Sequence, residues 1–291
     1  MSVPHFLFLM LICLVWGFTF VAGKAGVTEF PPIFFTGLRY VLLMAVLLPF
    51  LRWIPGQMRQ IFLISLAMGS VHFALFYMGM ASAEKVSSIA VVVQMSVPFS
   101  TLLSIWMLGE TVRWRRWSGI LIGFGGILVI GFDSAMLSER VGVMFTLGAA
   151  FSNALGMIWM KRLRDVGVYT LQAWIALMSW PLLFAVSALV ESGQVASLGT
   201  ASWTGWGGVI YTALGASLIG HAGIYYLVQR YDVSFISPFT LLAPIFGILF
   251  GVTVWGDALS TRFMMGASLT LLGVLIIAMR KREAVGAGAT P

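Results

Sequence analysis

The sequence predicts an all-α membrane protein: ten transmembrane helices arranged as two inverted five-helix repeats. Three observations predict it. Of 291 residues, 60% are hydrophobic and only 9% charged, too little charge to clothe a soluble domain of this length. Apolar runs of bilayer-spanning length recur along the whole chain. One long pattern also occurs twice. The first copy leads with Pro98, then places Glu110 before Gly119 and Gly126. The second leads with Pro244, then places Asp257 before Gly266 and Gly273 at the same two spacings. A repeat that pairs long apolar spans points to a carrier built from two related halves.

In chain order the apolar spans fall near 6–23, 33–51, 60–82, 87–107, 117–132, 141–160, 170–190, 204–227, 235–255 and 263–279. The first has no basic segment ahead of it, only Ser2 to His5, so it reads as a retained span and not a cleaved leader. The spans divide as a first repeat over 1–138, a second, inverted repeat over 139–282 and a disordered tail over 283–291. Connectors are short and leave no room for a soluble domain. Cys13 is the only cysteine, so no disulfide or cysteine metal site is expected, and no cofactor. The net charge of +7 gathers at span ends and does not indicate nucleic acid.

Charge sets the orientation. With the N-terminus inside, the inner segments hold Arg52, Arg59, Arg113, Arg115, Arg116, Lys161, Arg162, Arg164, Arg230, Arg280, Lys281 and Arg282. The outer segments hold Lys24, Lys85, Arg140 and Arg262. Basic residues accumulate on the cytoplasmic side, so both termini are expected there, in the cytoplasmic (inner) membrane. Five spans per half is odd, so the halves must face opposite ways. Trp16 also precedes Lys24 by the spacing at which Asn153 precedes Lys161, and only Lys161 sits in a basic cluster.

A midplane site between inverted halves would use polar and aromatic groups well inside the spans. Candidate substrate-binding residues are Trp16, Phe20, His72, Tyr77, Gln94, Asn153, Trp159, His221, Tyr225 and Thr240. Pro98 and Pro244 are candidate gates, because neither can donate to the carbonyl four residues earlier, that of Gln94 or Thr240. Each candidate has a plainer reading. Prolines are common in membrane helices, His72 and Asn153 could serve only as interhelical glue, and membrane aromatics mostly pack or anchor. Arg39, the one permanent charge inside a span, reads as a brace for helix carbonyls ahead of a carboxylate site. Trp53, Trp106, Trp114, Trp117, Trp203 and Trp255 read as interface anchors.

All ten acidic residues fall in loops or at span ends. Without a mid-depth carboxylate, proton exchange against hydrophobic cations has no obvious carrier, and a neutral or zwitterionic solute fits better. Whether protons on His72 or His221 drive movement, or the solute gradient does, stays open. Ser217 and His221 share one helix and do not form an aligned nucleophile and base, so an enzyme is not expected. A channel-like or multidrug efflux permease is the remaining alternative.

Trp16-Gly17 with Lys24, Arg39, Val97-Pro98 with Gly109-Glu110, and Ala243-Pro244 with Gly256-Asp257 resemble the motifs of the drug/metabolite transporter superfamily, EamA type. The resemblance covers roughly 6–280. It implies alternating access, a small-molecule substrate such as an amino acid, the lipid bilayer as the other partner, and usually outward movement. Within the family the chain is similar to bacterial exporters of aromatic amino acids. The resemblance also implies that the glycine-rich fifth and tenth spans brace each half or contact a partner, away from the substrate path. The expected state is a monomer or weak homodimer.

Overall fold

The computed structural model of the protein describes residues 1–109, 111, 113–131, 139–228, 230–231, 236 and 239–279, without the side chains of Ala222, Tyr225 and Val228. Glu110 and the tail over 283–291 therefore lie outside the described residues. Among the described residues there is no β-strand. Seven helices are long and apolar enough to cross a membrane: α1 (Val3–Glu29), α2 (Pro32–Phe50, its last turn a 3-10 turn), α3 (Met58–Ser82), α4 (Val86–Leu108), α6 (Arg140–Met160), α7 (Val168–Val190) and α11 (Thr261–Ala278). Phe239–Trp255, α10, is a shorter apolar helix. The remaining helices are α5 (Trp114–Gly131), the short α8 (Gln194–Thr200) and α9 over 203–228.

The main helix pairings exchange into one another when the two halves are swapped. Helix α2 packs on α7 and α5 on α11; α1 packs on α9 and α10, while α6 packs on α3 and α4. The halves are thus interleaved, and most of the core lies between them. The doubled glycines explain the α5–α11 pairing. A methyl group at Gly119 would lie 2.8 Å from the Gly273 carbonyl, and one at Gly266 would lie 2.7 Å from that of Gly126. Only glycine lets the two backbones approach this closely, and the two motif copies meet antiparallel in one seam. The fifth and tenth spans therefore brace one half against the other.

Helix ends repeat as well. Gly109 and Gly256 close α4 and α10 in the left-handed region, at φ +66° and +82°, where a side chain would be strained. The two candidate gate prolines also act alike. Just before Pro98 the chain tightens into a 3-10 turn over Val93–Met95, and just before Pro244 into one over Phe239–Leu241. A proline offers no N–H to the carbonyl four residues back, so the turn ahead of it closes on i→i+3 bonds instead. Gln94 and Thr240 each sit at the centre of one of these turns.

Candidate functional site

Two helices depart from α geometry in the opposite sense. Ser65–Val71 of α3 and Tyr211–His221 of α9 are π-helical, and they occupy the same place in the two repeats. The π turn at Ser65–Val71 gives way to α-helix at His72, and the one at Tyr211–His221 ends on His221. A wider π turn leaves backbone carbonyls short of their usual partners, and such turns concentrate at functional sites. Side chains from the opposite half supply the missing donors. The Ser152 hydroxyl donates to Ala67 O at 2.8 Å and the Ser179 hydroxyl to Ser65 O at 3.3 Å. On the α9 side, Trp16 Nε1 donates to Ala216 O at 3.2 Å and Arg39 Nη2 to Thr212 O at 3.0 Å. The donors come from α6 and α7 in one case and from α1 and α2 in the other, so the arrangement is itself repeated.

Around these turns lies a polar and aromatic cluster, buried at Phe20, His72 and Tyr77, half-buried at Trp16 and open at His221. His72, 8% exposed, donates from Nδ1 to the Ala149 carbonyl at 2.8 Å and stacks on Phe76 at 5.9 Å. Phe76 in turn meets Phe20 at 6.0 Å. The Arg39 guanidinium, 3% exposed, lies 4.1 Å over the Phe73 ring and reaches the Tyr77 hydroxyl at 3.4 Å. Trp16 contacts His221 at 5.5 Å. Trp16 is seated by Gly220, where any side chain would overlap its indole nitrogen. Trp16, Phe20, His72, Tyr77 and His221 are therefore brought to the seam between α1, α3 and α9.

The other candidates are placed differently. Gln94 and Asn153 are half-buried and make no side-chain hydrogen bond among the described residues. Thr240 is half-buried on its 3-10 turn. Trp159 stands apart, packed at the end of α6 with Ile61, Ile64 and Leu171. Tyr225 lies in α9, and its side chain is outside the described residues. Among the tryptophans expected at interfaces, Trp53, Trp106, Trp114, Trp117 and Trp203 are exposed; Trp255 instead packs inward, 6.0 Å from Lys24 Nζ.

The two ends of the bundle differ. On the far face, opposite the N-terminus, charged side chains close the gaps between helices. Lys24 Nζ donates to Met80 O at 2.8 Å and Ala83 O at 2.5 Å, holding the C-terminal end of α3. Asp257 accepts from Ser87 N at 2.7 Å, Ser87 Oγ at 2.5 Å and Val86 N at 3.3 Å, capping the start of α4. Glu139 Oε1 accepts from Glu84 N and Lys85 N, both at 3.0 Å. Glu191 accepts from Ile33 N and Phe34 N at the start of α2, and Glu29 accepts from Ser202 ahead of α9. Cations suit helix C-termini and anions N-termini. Burial raises the pKa of the Glu139 carboxyl above its ordinary value, against the opposing pull of the Lys85 and Glu84 amides.

The near face instead carries a cavity of about 530 Å³, bounded by His5 and Phe8 of α1, Tyr169 of α7, and Leu218, Ile219, Gly223 and Tyr226 of α9. Its volume suits a small organic molecule. Sequence reasoning passed over the carboxylate caps, His5 and Tyr169. The acid residues had been read as loop and turn positions, and nothing in their spacing says which helix they reach.

The EamA-like transporter family matches the chain twice, over residues 4–132 and 140–279. The chain belongs to the EamA-like transporter family. It is a multi-pass membrane transporter. A relative from Escherichia coli, named a probable amino-acid metabolite efflux pump, is 28% identical and aligns over 96% of this chain and 97% of its own length. A Salmonella typhimurium protein of the same name is 27% identical over 92% of each. An uncharacterized inner membrane transporter of Escherichia coli is 23% identical over 96% of this chain and 92% of its own. A solved crystal structure, at 18% identity, superposes with a TM-score of 0.62 over 95% of this chain and 96% of that one, and so shares the fold.

Proposed function

We propose that this EamA-like transporter exports amino acids, aromatic ones included, across the cytoplasmic membrane by alternating access. The observation that carries the reading is the contrast between a far face sealed by buried Lys24, Glu139 and Asp257 and a near face that holds a solute-sized cavity. Between them lies the aromatic and polar seam of Trp16, Phe20, His72, Tyr77 and His221. The names of the two efflux relatives support amino-acid metabolites as cargo. The basic residues on the near face support cytoplasmic termini, which makes the cavity an inward-facing vestibule.

Counted with α5, α9 and α10, the chain crosses the bilayer ten times, five crossings in 1–138 and five in 139–282. The two gates are the 3-10 turns ahead of Pro98 and Pro244, with the half-buried, unbonded Gln94 and Asn153 facing the route. Rings line the seam while no carboxylate among the described residues enters it, which suits a zwitterion with an apolar side chain better than an organic cation. One chain supplies both halves of the pathway, so the monomer suffices.

The test is reconstitution into proteoliposomes with a panel of amino acids, with and without a pH gradient. Saturable movement of amino acids, phenylalanine among them, is expected. Loss of transport in correctly folded His72→Ala and Asn153→Ala supports the seam as the route. Movement of organic cations but of no amino acid would sink the reading.

A further inference from the structure

The charge on Arg39 exceeds what its place in the fold requires. It sits in α2, and the side chain of α7 with the corresponding task is Ser179, since each donates across the interface to a π-turn carbonyl of the opposite half. At Ser65 O a neutral hydroxyl suffices. At Thr212 O the same task falls to a guanidinium that is 3% exposed. A buried charge is costly unless an anion answers it. None does among the described residues: the partners of Arg39 there are Thr212 O at 3.0 Å, the Tyr77 hydroxyl at 3.4 Å and the Ser217 hydroxyl at 3.5 Å, all neutral, the last two at the limit of a hydrogen bond. Its Nε is buried and has no partner. The Phe73 ring offers its face to the cation at 4.1 Å, which offsets only part of the cost.

We propose that Arg39 is the subsite for the carboxylate of the transported solute, with the Tyr77 and Ser217 hydroxyls as its companions. A guanidinium with an open Nε and loosely held terminal nitrogens matches a carboxylate in a two-point contact. The subsite lies on the route from the near-face cavity. Leu218, one residue beyond Ser217, lines that cavity and also packs on the Tyr40–Leu43 cluster that includes Phe73. Leu218 lines the cavity and Phe73 covers the guanidinium, so a substrate moving from one to the other has to pass both. The planar guanidinium selects for the carboxylate itself, and the class of cargo is a monocarboxylate such as an amino acid.

The inference rests on the transporter reading, but its test is separable from it. The purified full-length protein is heated in the presence of L-phenylalanine, L-phenylalaninamide, 3-phenylpropionate or phenethylamine, and apparent affinities are taken from the rise in Tm. The two carboxylates are expected to bind at least about tenfold more tightly than the amide and the amine, the scale of one charge-assisted hydrogen bond. In Arg39→Gln that ratio collapses to near one. A purely structural arginine predicts another result: acid and amide weaken together and their ratio stays as in the parent. Should Arg39→Gln not fold, the parent alone decides, because equal affinity for phenylalanine and its amide overturns the proposal. Carboxylate binding that depends on Arg39, without amino-acid movement in proteoliposomes, would retain the subsite and refute the export reading. Amino-acid movement without acid–amide discrimination would do the reverse.

Discussion

The far and near faces of the bundle are built from the same repeat and have opposite character. Lys24 and Lys161 hold equivalent positions, each eight residues beyond Trp16 or Asn153. Lys24 is 7% exposed and grips two carbonyls of α3, whereas Lys161 is exposed. The far face is closed by carboxylates reaching across the halves; the near face holds the cavity. Equivalent sequence thus adopts two environments in one molecule. Under the proposed alternating access, this is what a carrier captured at one end of its cycle would display, each repeat taking in turn the conformation of the other.

The largest expected effect comes from breaking the sealed face at its cation. Lys24→Met strips the Met80 and Ala83 carbonyls of a charged donor in a buried setting, and a loss of about 3 kcal/mol in stability follows. It should also unseal the face. With Cys13→Ser as background, Ala83→Cys provides a reporter at a buried position. Adding Lys24→Met is expected to raise its labelling by a membrane-impermeant thiol reagent about tenfold. Unchanged labelling would mean that Lys24 is a structural brace and no part of a gate.

Asp257→Ala comes next. It leaves the amides of Val86 and Ser87 and the Ser87 hydroxyl without their acceptor, at a cost of about 2 kcal/mol by thermal or denaturant unfolding. Asp257→Asn keeps an acceptor oxygen and should recover part of that loss. If alanine and asparagine behave alike, the carboxylate does not act as a cap. A control away from both faces is Gly126→Val in the α5–α11 seam. Added methyl groups must push against the Gly266 carbonyl and Thr270, so a loss of about 1–3 kcal/mol is expected with no change in labelling at residue 83.

These contacts also mark how far the sequence could be read. The doubled proline and glycine pattern was legible because each residue acts on its own backbone. A proline withholds its N–H wherever it stands, and the 3-10 turns before Pro98 and Pro244 follow. The glycines announced close packing but not with whom: that Gly119 meets Gly273 and Gly126 meets Gly266 is a property of the interleaved halves. The π turns were illegible for the same reason. They persist because Ser152, Ser179, Trp16 and Arg39, remote in sequence, satisfy the carbonyls they expose. Trp16, Phe20, His72, Tyr77 and His221, which the fold brings to one seam, were singled out by asking which polar or aromatic groups sit well inside the spans. That criterion also returned Trp159, which lies in the end-of-helix packing around Ile61 and Leu171, because depth says nothing about which way a side chain points.

The smallest effect sharpens the comparison by pH. Glu139 lies among Lys24, Glu84, Lys85 and Asp257 on the sealed face, and its side chain is fully inaccessible. Oε1 takes both backbone amides, while Oε2 is buried without a partner. Because burial raises its pKa, the folded chain takes up this proton at a higher pH than the unfolded chain does. The cost of burying the charged form is absent below the unfolded pKa and complete above the folded one. Glu139→Gln keeps an oxygen for the two amides and carries no charge at any pH. As pH falls through the raised pKa toward the ordinary carboxylate range, the parent must therefore gain stability relative to Glu139→Gln. Thermal unfolding of both proteins across that range reads the gap directly. A gap that does not change with pH would mean that the carboxyl has the same pKa in the folded and unfolded chains, so that burial does not raise it. A gap that moves the other way would mean that the charged form is the one the sealed face stabilises, with Lys24 outweighing burial.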